Sequence, residues 1–149
     1  MSKKVVEKDK KDKKTKIMLF GTFDGLHKGH LNLFKQARNL SEESFLIVSV
    51  ARDKNVERIK GKPPLFNEEK RYREIKKVKI VDKVLLANIR NYFSHILKEK
   101  PDIIALGYDQ KAYVGELKRD IKKNKMPVKL IRLKPFKEKI YKSHLLNKK

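Results

Sequence analysis

The chain has no cysteine in its 149 residues, which excludes disulfides and thiolate metal sites. Histidine is nearly as scarce. There are four, two of them, His27 and His30, in one short motif, and so few cannot build a histidine-rich metal centre. Any metal is therefore expected to be a hard ion carried by phosphates. No apolar run is long enough to cross a bilayer, and no apolar stretch near the N-terminus has the character of a signal peptide. Together with the missing cysteines, this fits a cytoplasmic protein with no membrane partner. Acidic residues are also short: 18 Asp and Glu face 40 Lys and Arg, a net charge of +22.

Lysine is what the chain has in quantity. Met1–Lys16 carries eight lysines against Glu7, Asp9 and Asp12, so this stretch supplies +5 and the body keeps +17. A body this basic attracts polyanions: nucleic acid, nucleotides or phosphorylated cofactors. Many lysines outside the motifs need no role beyond a solvated surface. Residues 1–15 are expected to form a disordered, lysine-rich tail, and residues 16–149 one domain with enough chain for a core.

From Lys16 onward, strand and helix patterns alternate. Ile17-Met18-Leu19-Phe20 reads as a buried strand, and Leu31–Arg38 as a helix with Leu33, Phe34 and Ala37 on one face. Phe45–Val50 is a second strand. Arg52–Pro64 reads as a lysine-bearing loop. Asn67 is an expected N-cap for a helix through Ile75 and Val78, with Glu68 and Glu69 in its first turn. Val81–Leu86 is a third strand, followed by a helix with Tyr92, Phe93, Ile96 and Leu97 in a stripe that Pro101 ends. Ile103–Leu106 is a fourth strand closed by Gly107. Val114, Leu117 and Ile121 mark a helix, Val128–Leu133 a fifth strand, and Leu145 and Leu146 a short final helix. Such alternation implies a doubly wound α/β fold, with a parallel sheet covered on both faces.

The most informative segment is Gly21-Thr22-Phe23-Asp24-Gly25-Leu26-His27-Lys28-Gly29-His30. It lies between the first strand and the first helix, where free N–H groups and the positive end of the helix dipole favour an anion. Gly29 allows close backbone approach, and His27 and His30 flank it with ring donors. The grouping suits a polyphosphate. Lys28 reads equally as a charge on that phosphate or as a solvated helix-start lysine. Thr22 and Phe23 lie at the strand end, where main-chain N–H groups can meet phosphate, and Phe23 fits the core equally well.

Gly-Thr-Phe-Asp followed by His27-Lys28-Gly29-His30 resembles the HxGH signature of the nucleotidyltransferase superfamily. That group includes cytidylyltransferases, pantetheine-phosphate adenylyltransferase and FAD synthetases. The resemblance runs from about Lys16 to the C-terminus. It implies a Rossmann-like five-stranded sheet of order 3-2-1-4-5 and transfer of a nucleotidyl group from a nucleoside triphosphate to a phosphorylated acceptor. Pyrophosphate is released and Mg²⁺ is bound through the nucleotide phosphates. With that order, the His27–His30 turn and the loop Gly107-Tyr108-Asp109-Gln110 share one rim of the sheet, at the switch point. His27, His30 and Lys28 are then the catalytic candidates, and Thr22, Phe23 and Gly29 the nearby nucleotide contacts.

The segment Leu-Gly-x-Asp-Gln is similar to one in archaeal FAD synthetases. It implies a nucleotide contact for Asp109, which also suits a helix N-cap. Ala51–Pro64 resembles the same family, with Lys60 and Lys62 as candidates for the acceptor phosphate. Arg71 reads as helix surface or as a rim cation for that acceptor. Toward the C-terminus, the superfamily pattern implies phosphate binding by Arg132, Lys142 and Ser143, with helix capping as the other reading of Ser143. In place of the cytidylyltransferase Ile-Ser-Thr-Thr this chain keeps only Ser143 beside Lys142, which weakens a glycerol-3-phosphate cytidylyltransferase reading. The favoured activity is ATP plus FMN giving FAD. The alternatives are a cytidylyltransferase for a small phosphorylated alcohol and, in another class, a basic nucleic-acid-binding module on the same fold. Weak non-specific nucleic-acid binding and a homodimer are compatible with the first reading.

Overall fold

The structure is a computed structural model, and it describes residues 14–136. Five strands form one parallel sheet: β1 (Thr15–Gly21), β2 (Ser44–Val50), β3 (Lys83–Leu86), β4 (Ile103–Leu106) and β5 (Lys129–Arg132). Their order is β3-β2-β1-β4-β5, as the sequence reading expected. The helices are α1 (Lys28–Arg38), α2 (Asp53–Lys60), α3 (Glu68–Lys76), α4 (Phe93–Glu99) and α5 (Val114–Lys123).

The apolar run of β1 has a simple cause. β1 is flanked by β2 and β4 and buried on both faces, so alternate residues enter two different cores. Ile17 and Leu19 pack with Phe34 and Ala37 of α1 and Ile75 of α3. Met18 and Phe20 pack with Phe93 and Ile96 of α4 and Val114 and Leu117 of α5. The amino-terminal edge is fixed by carboxylates. Asp82 accepts from the Leu46 N–H and pairs with Arg38, and Asp102 accepts from the Lys16 N–H at 2.8 Å.

Three expectations differ from the structure. Thr15 already pairs with Ser44 in β1, one residue inside the expected tail. The segment read as a lysine-bearing loop contains α2, whose start carries Asp53 in the first turn and whose end is the left-handed Gly61 (φ 79°). That helix buries little beyond Asn55 and Val56, so its apolar stripe is too thin to read. The N-cap of α3 is as expected: Asn67 accepts from the Lys70 N–H at 2.8 Å. The fully buried Arg71 contradicts the helix-surface reading of that residue.

Candidate active site

The β1–α1 turn is built by steric fit. Gly21 is glycine because a Cβ there would meet the Phe23 ring at 2.7 Å. Phe23 takes a left-handed conformation (φ 53°), rare for a bulky residue. Packing holds it there, with its ring 5.4 Å from both His30 and Phe34. Asp24 accepts from the N–H groups of Leu65 and Phe66 at 2.7 and 2.8 Å. Burial opposes the charge of Asp24, but those two donors, with Arg71 and Lys60 nearby, hold its carboxyl below the usual value. The turn is thereby sewn to the α2–α3 connection.

Arg71 completes the seam. Its guanidinium donates to the Phe66 carbonyl, the Thr22 carbonyl and the Asp53 carboxylate at 2.9, 2.8 and 2.6 Å. A buried arginine with three fixed acceptors is a structural clamp.

The two histidines cap their own helix. His27, the N-cap of α1, is extended, and its Nδ1 accepts from the Gly29 N–H at 3.0 Å. His30 answers: its Nδ1 accepts from the His27 N–H at 3.3 Å. This is the reciprocal logic of a capping box, carried by imidazoles. Gly29 makes room for it, since a Cβ at that position would lie 2.8 Å from His27 Cε1. The rings stack, with centroids 3.9 Å apart. Because both Nδ1 atoms accept, the proton of each neutral ring sits on Nε2. Burial, and next the charge of His27, push the His30 pKa down to about 4, so His30 is neutral at physiological pH.

Beside this turn lies a cavity of about 760 Å³. One end is formed by His27, Lys28, Gly29 and His30. The loop after β4 supplies Gly107, Tyr108 and Asp109, and the segment after β5 supplies Lys134 and Phe136. Arg132 Nη1 props the first of these loops by donating to the Gly107 and Gln110 carbonyls, each at 2.8 Å. A donor-rich end with fixed Nε2–H groups and a lysine suits the phosphates of a nucleotide.

A family model described as cytidylyltransferase-like matches residues 18–145, most of the chain. The chain belongs to the cytidylyltransferase-like family. Among its relatives in that family, the FAD synthase of Thermoplasma volcanium is 37% identical over 134 residues, covering 90% of this chain and 92% of that one. The FAD synthase of Methanosarcina barkeri is 42% identical over 125 residues, covering 83% and 86%. A crystal structure from Thermoplasma volcanium, described as a lipopolysaccharide core biosynthesis protein, superposes with a TM-score of 0.74 at 38% identity, covering 82% of this chain and 98% of that one. A pantoate-beta-alanine ligase from Francisella tularensis shares the fold alone: TM-score 0.53 at 17% identity, over 80% of this chain and 59% of that one.

The sequence-derived residues divide into groups. His27, Lys28, Gly29, His30 and Asp109 meet at the cavity. Thr22 and Phe23 lie behind it, the first tied to Arg71 and the second in the core. Asp109 does not cap a helix, because α5 begins only at Val114 after the left-handed Tyr113. Lys60 and Lys62 are exposed around the end of α2, on the β2 side of the motif turn. Lys142, Ser143 and the expected helix at Leu145 and Leu146 lie outside the described residues. The sequence reading missed Asn32, Gln36, Lys134 and Phe136. For the first two a signal existed: Gly29, Asn32, Leu33 and Gln36 follow i, i+3, i+4, i+7, a stripe that continues the motif along α1.

Proposed function

We propose that this chain is an FMN adenylyltransferase that makes FAD and pyrophosphate from ATP and FMN. The observation that carries the reading is the pair of histidines whose Nδ1 atoms are tied to main-chain N–H groups, fixing Nε2–H as the donor beside the cavity. FAD synthases from several archaea, 37–42% identical to this chain, support the choice of substrates.

In the proposed reaction, a phosphate oxygen of FMN attacks the α-phosphorus of ATP. A new P–O bond forms, the bond from the α-phosphorus to the bridging oxygen breaks, and pyrophosphate leaves in line. The attacking group is already an anion, so no strong base is required. Catalysis is positioning and charge stabilisation. His27 and His30 donate Nε2–H to the oxygens on which charge grows. Lys28, at the same end of the cavity, adds a cation.

The described residues hold no cluster of three or more His, Cys, Asp or Glu, and Asp109 is the carboxylate among the described lining residues. That donor set fits Mg²⁺ arriving on the triphosphate rather than held in a protein cage. When bound, the ion neutralises phosphate charge. Lys60 and Lys62 are free to meet the FMN phosphate. Arg71 is not, because its guanidinium is committed to Thr22, Asp53 and Phe66.

The test is a screen of ATP, CTP, GTP and UTP against FMN and glycerol 3-phosphate, reading pyrophosphate release. Release with ATP and FMN, with stoichiometric FAD, is expected. Release confined to CTP with glycerol 3-phosphate would replace the proposal by the cytidylyltransferase reading.

A further inference from the structure

The carboxamide of Gln36, in the last turn of α1, does what a neighbouring strand would do. Its Nε2 donates to the Lys134 carbonyl at 2.8 Å, and its Oε1 accepts from the Lys134 N–H at 2.9 Å. The other Nε2 hydrogen goes to Asn32 Oδ1 at 2.8 Å. All of this fixes the amide orientation, since a flipped amide would set oxygen against oxygen twice. The two partners are 98 residues apart in sequence. Among the described residues no strand follows β5, and Gln36 ties Lys134 to α1. Two residues later, Phe136 lines the same cavity as Leu33, Asn32 and the motif histidines.

The cavity thus has two chemically different ends. One holds the histidines and Lys28. The other lies at Gln36, eight residues and so about 12 Å along α1 from Lys28 at 1.5 Å per residue; Lys134 is paired to it there, and Leu33 and Phe136 are the apolar lining residues. A nucleoside triphosphate has the same polarity: anionic at one end, a flat, largely apolar ring at the other.

We propose that Gln36 is a positioning residue for the nucleotide. It holds residues 134–136 as a wall of the cavity, and Phe136 on that wall is the surface against which the base packs. The proposal rests on the adenylyltransferase reading for its substrate, and its test separates the two.

The test is steady-state kinetics with each substrate varied at saturation of the other. Gln36→Met keeps the length and loses the pairing. It should raise the KM for ATP by about five- to tenfold, the scale of losing main-chain hydrogen bonds. It should leave kcat within about twofold and the KM for FMN unchanged, since the pairing is remote from the reacting atoms. Gln36→Glu keeps the acceptor for the Lys134 N–H but sets an oxygen against the Lys134 carbonyl, so it should raise the KM for ATP at least as much as Gln36→Met. Phe136→Ala should reproduce the ATP effect. The double variant Gln36→Met/Phe136→Ala should be no worse than the stronger single variant, because both remove one wall. Equal shifts in both KM values, or a double variant whose defect is the product of the two, would overturn it.

If the wild-type chain makes no FAD, the functional reading fails, and the wall is then tested by binding. Calorimetric titration of ATP and CTP, with hydrogen exchange at the Lys134 amide, should show weaker binding and faster exchange in Gln36→Met. Unchanged affinity and exchange would refute the wall.

Discussion

A histidine that donates to phosphate must keep its proton on the nitrogen facing the ligand, and here main-chain amides make that choice. His27 Nδ1 takes the Gly29 N–H and His30 Nδ1 takes the His27 N–H, so Nε2 carries the proton in both. Burial adds a second control on His30, pushing its pKa down to about 4 from 6.5. The sign of the linkage follows. The unfolded chain binds this proton more readily, so His30 costs nothing above about pH 6.5 and erodes stability as pH falls from there toward 4. An NMR titration of the free protein should show the His30 ring resonances unmoved from pH 8 to 5 and shifting only near pH 4. A midpoint near 6.5 would mean the ring is solvated and free of its cap. The sequence shows the pair and the glycine between them, and from these a phosphate site. It does not show that Gly29 serves the His27 ring, a fact that depends on the extended backbone of His27 (φ −140°).

At the scale of elements, α2, α3 and the motif turn meet at Arg71, which is 1% exposed. Its three hydrogen bonds join segments 49, 18 and 5 residues away. Arg71→Ala leaves Asp53 and two carbonyls without their donor and should destabilise the fold by about 3 kcal/mol. This is the low end for breaking a buried pair, because Asp53 remains partly exposed. Arg71→Lys, which cannot span three acceptors, should lose about 2 kcal/mol. Urea midpoints at constant slope check both, and a loss under about 0.5 kcal/mol for Arg71→Ala would mark the residue as ordinary surface. The strands were legible because a doubly covered parallel sheet writes continuous apolar runs, as in Ile17–Phe20 and Phe45–Val48. The helix α2 was not, because its eight residues bury only two. Nor were the roles of Arg71 and Gln36, whose partners are distant in sequence. A polar residue on a helix gives no local sign of which loop it will hold.

For the whole molecule, the order β3-β2-β1-β4-β5 decides where chemistry can happen. The connections after β1 and β4 leave the same edge of the sheet on either side of the reversal, and the cavity opens between them. The chain carries a net charge of +22 and the proposed substrates and products are all anions, so the charge favours their capture without specifying them. In the proposed reaction, specificity belongs to the fixed donors of the motif turn and the walls of the cavity. The measurement that bears most directly on the account is FAD formation from ATP and FMN by the intact chain, compared with His27→Ala and His30→Ala. The wild-type chain should yield FAD and pyrophosphate in equal amounts. Each folded variant should lose about 10²-fold or more in kcat, the scale of removing a donor to developing charge. Wild-type turnover in either folded variant would contradict the account.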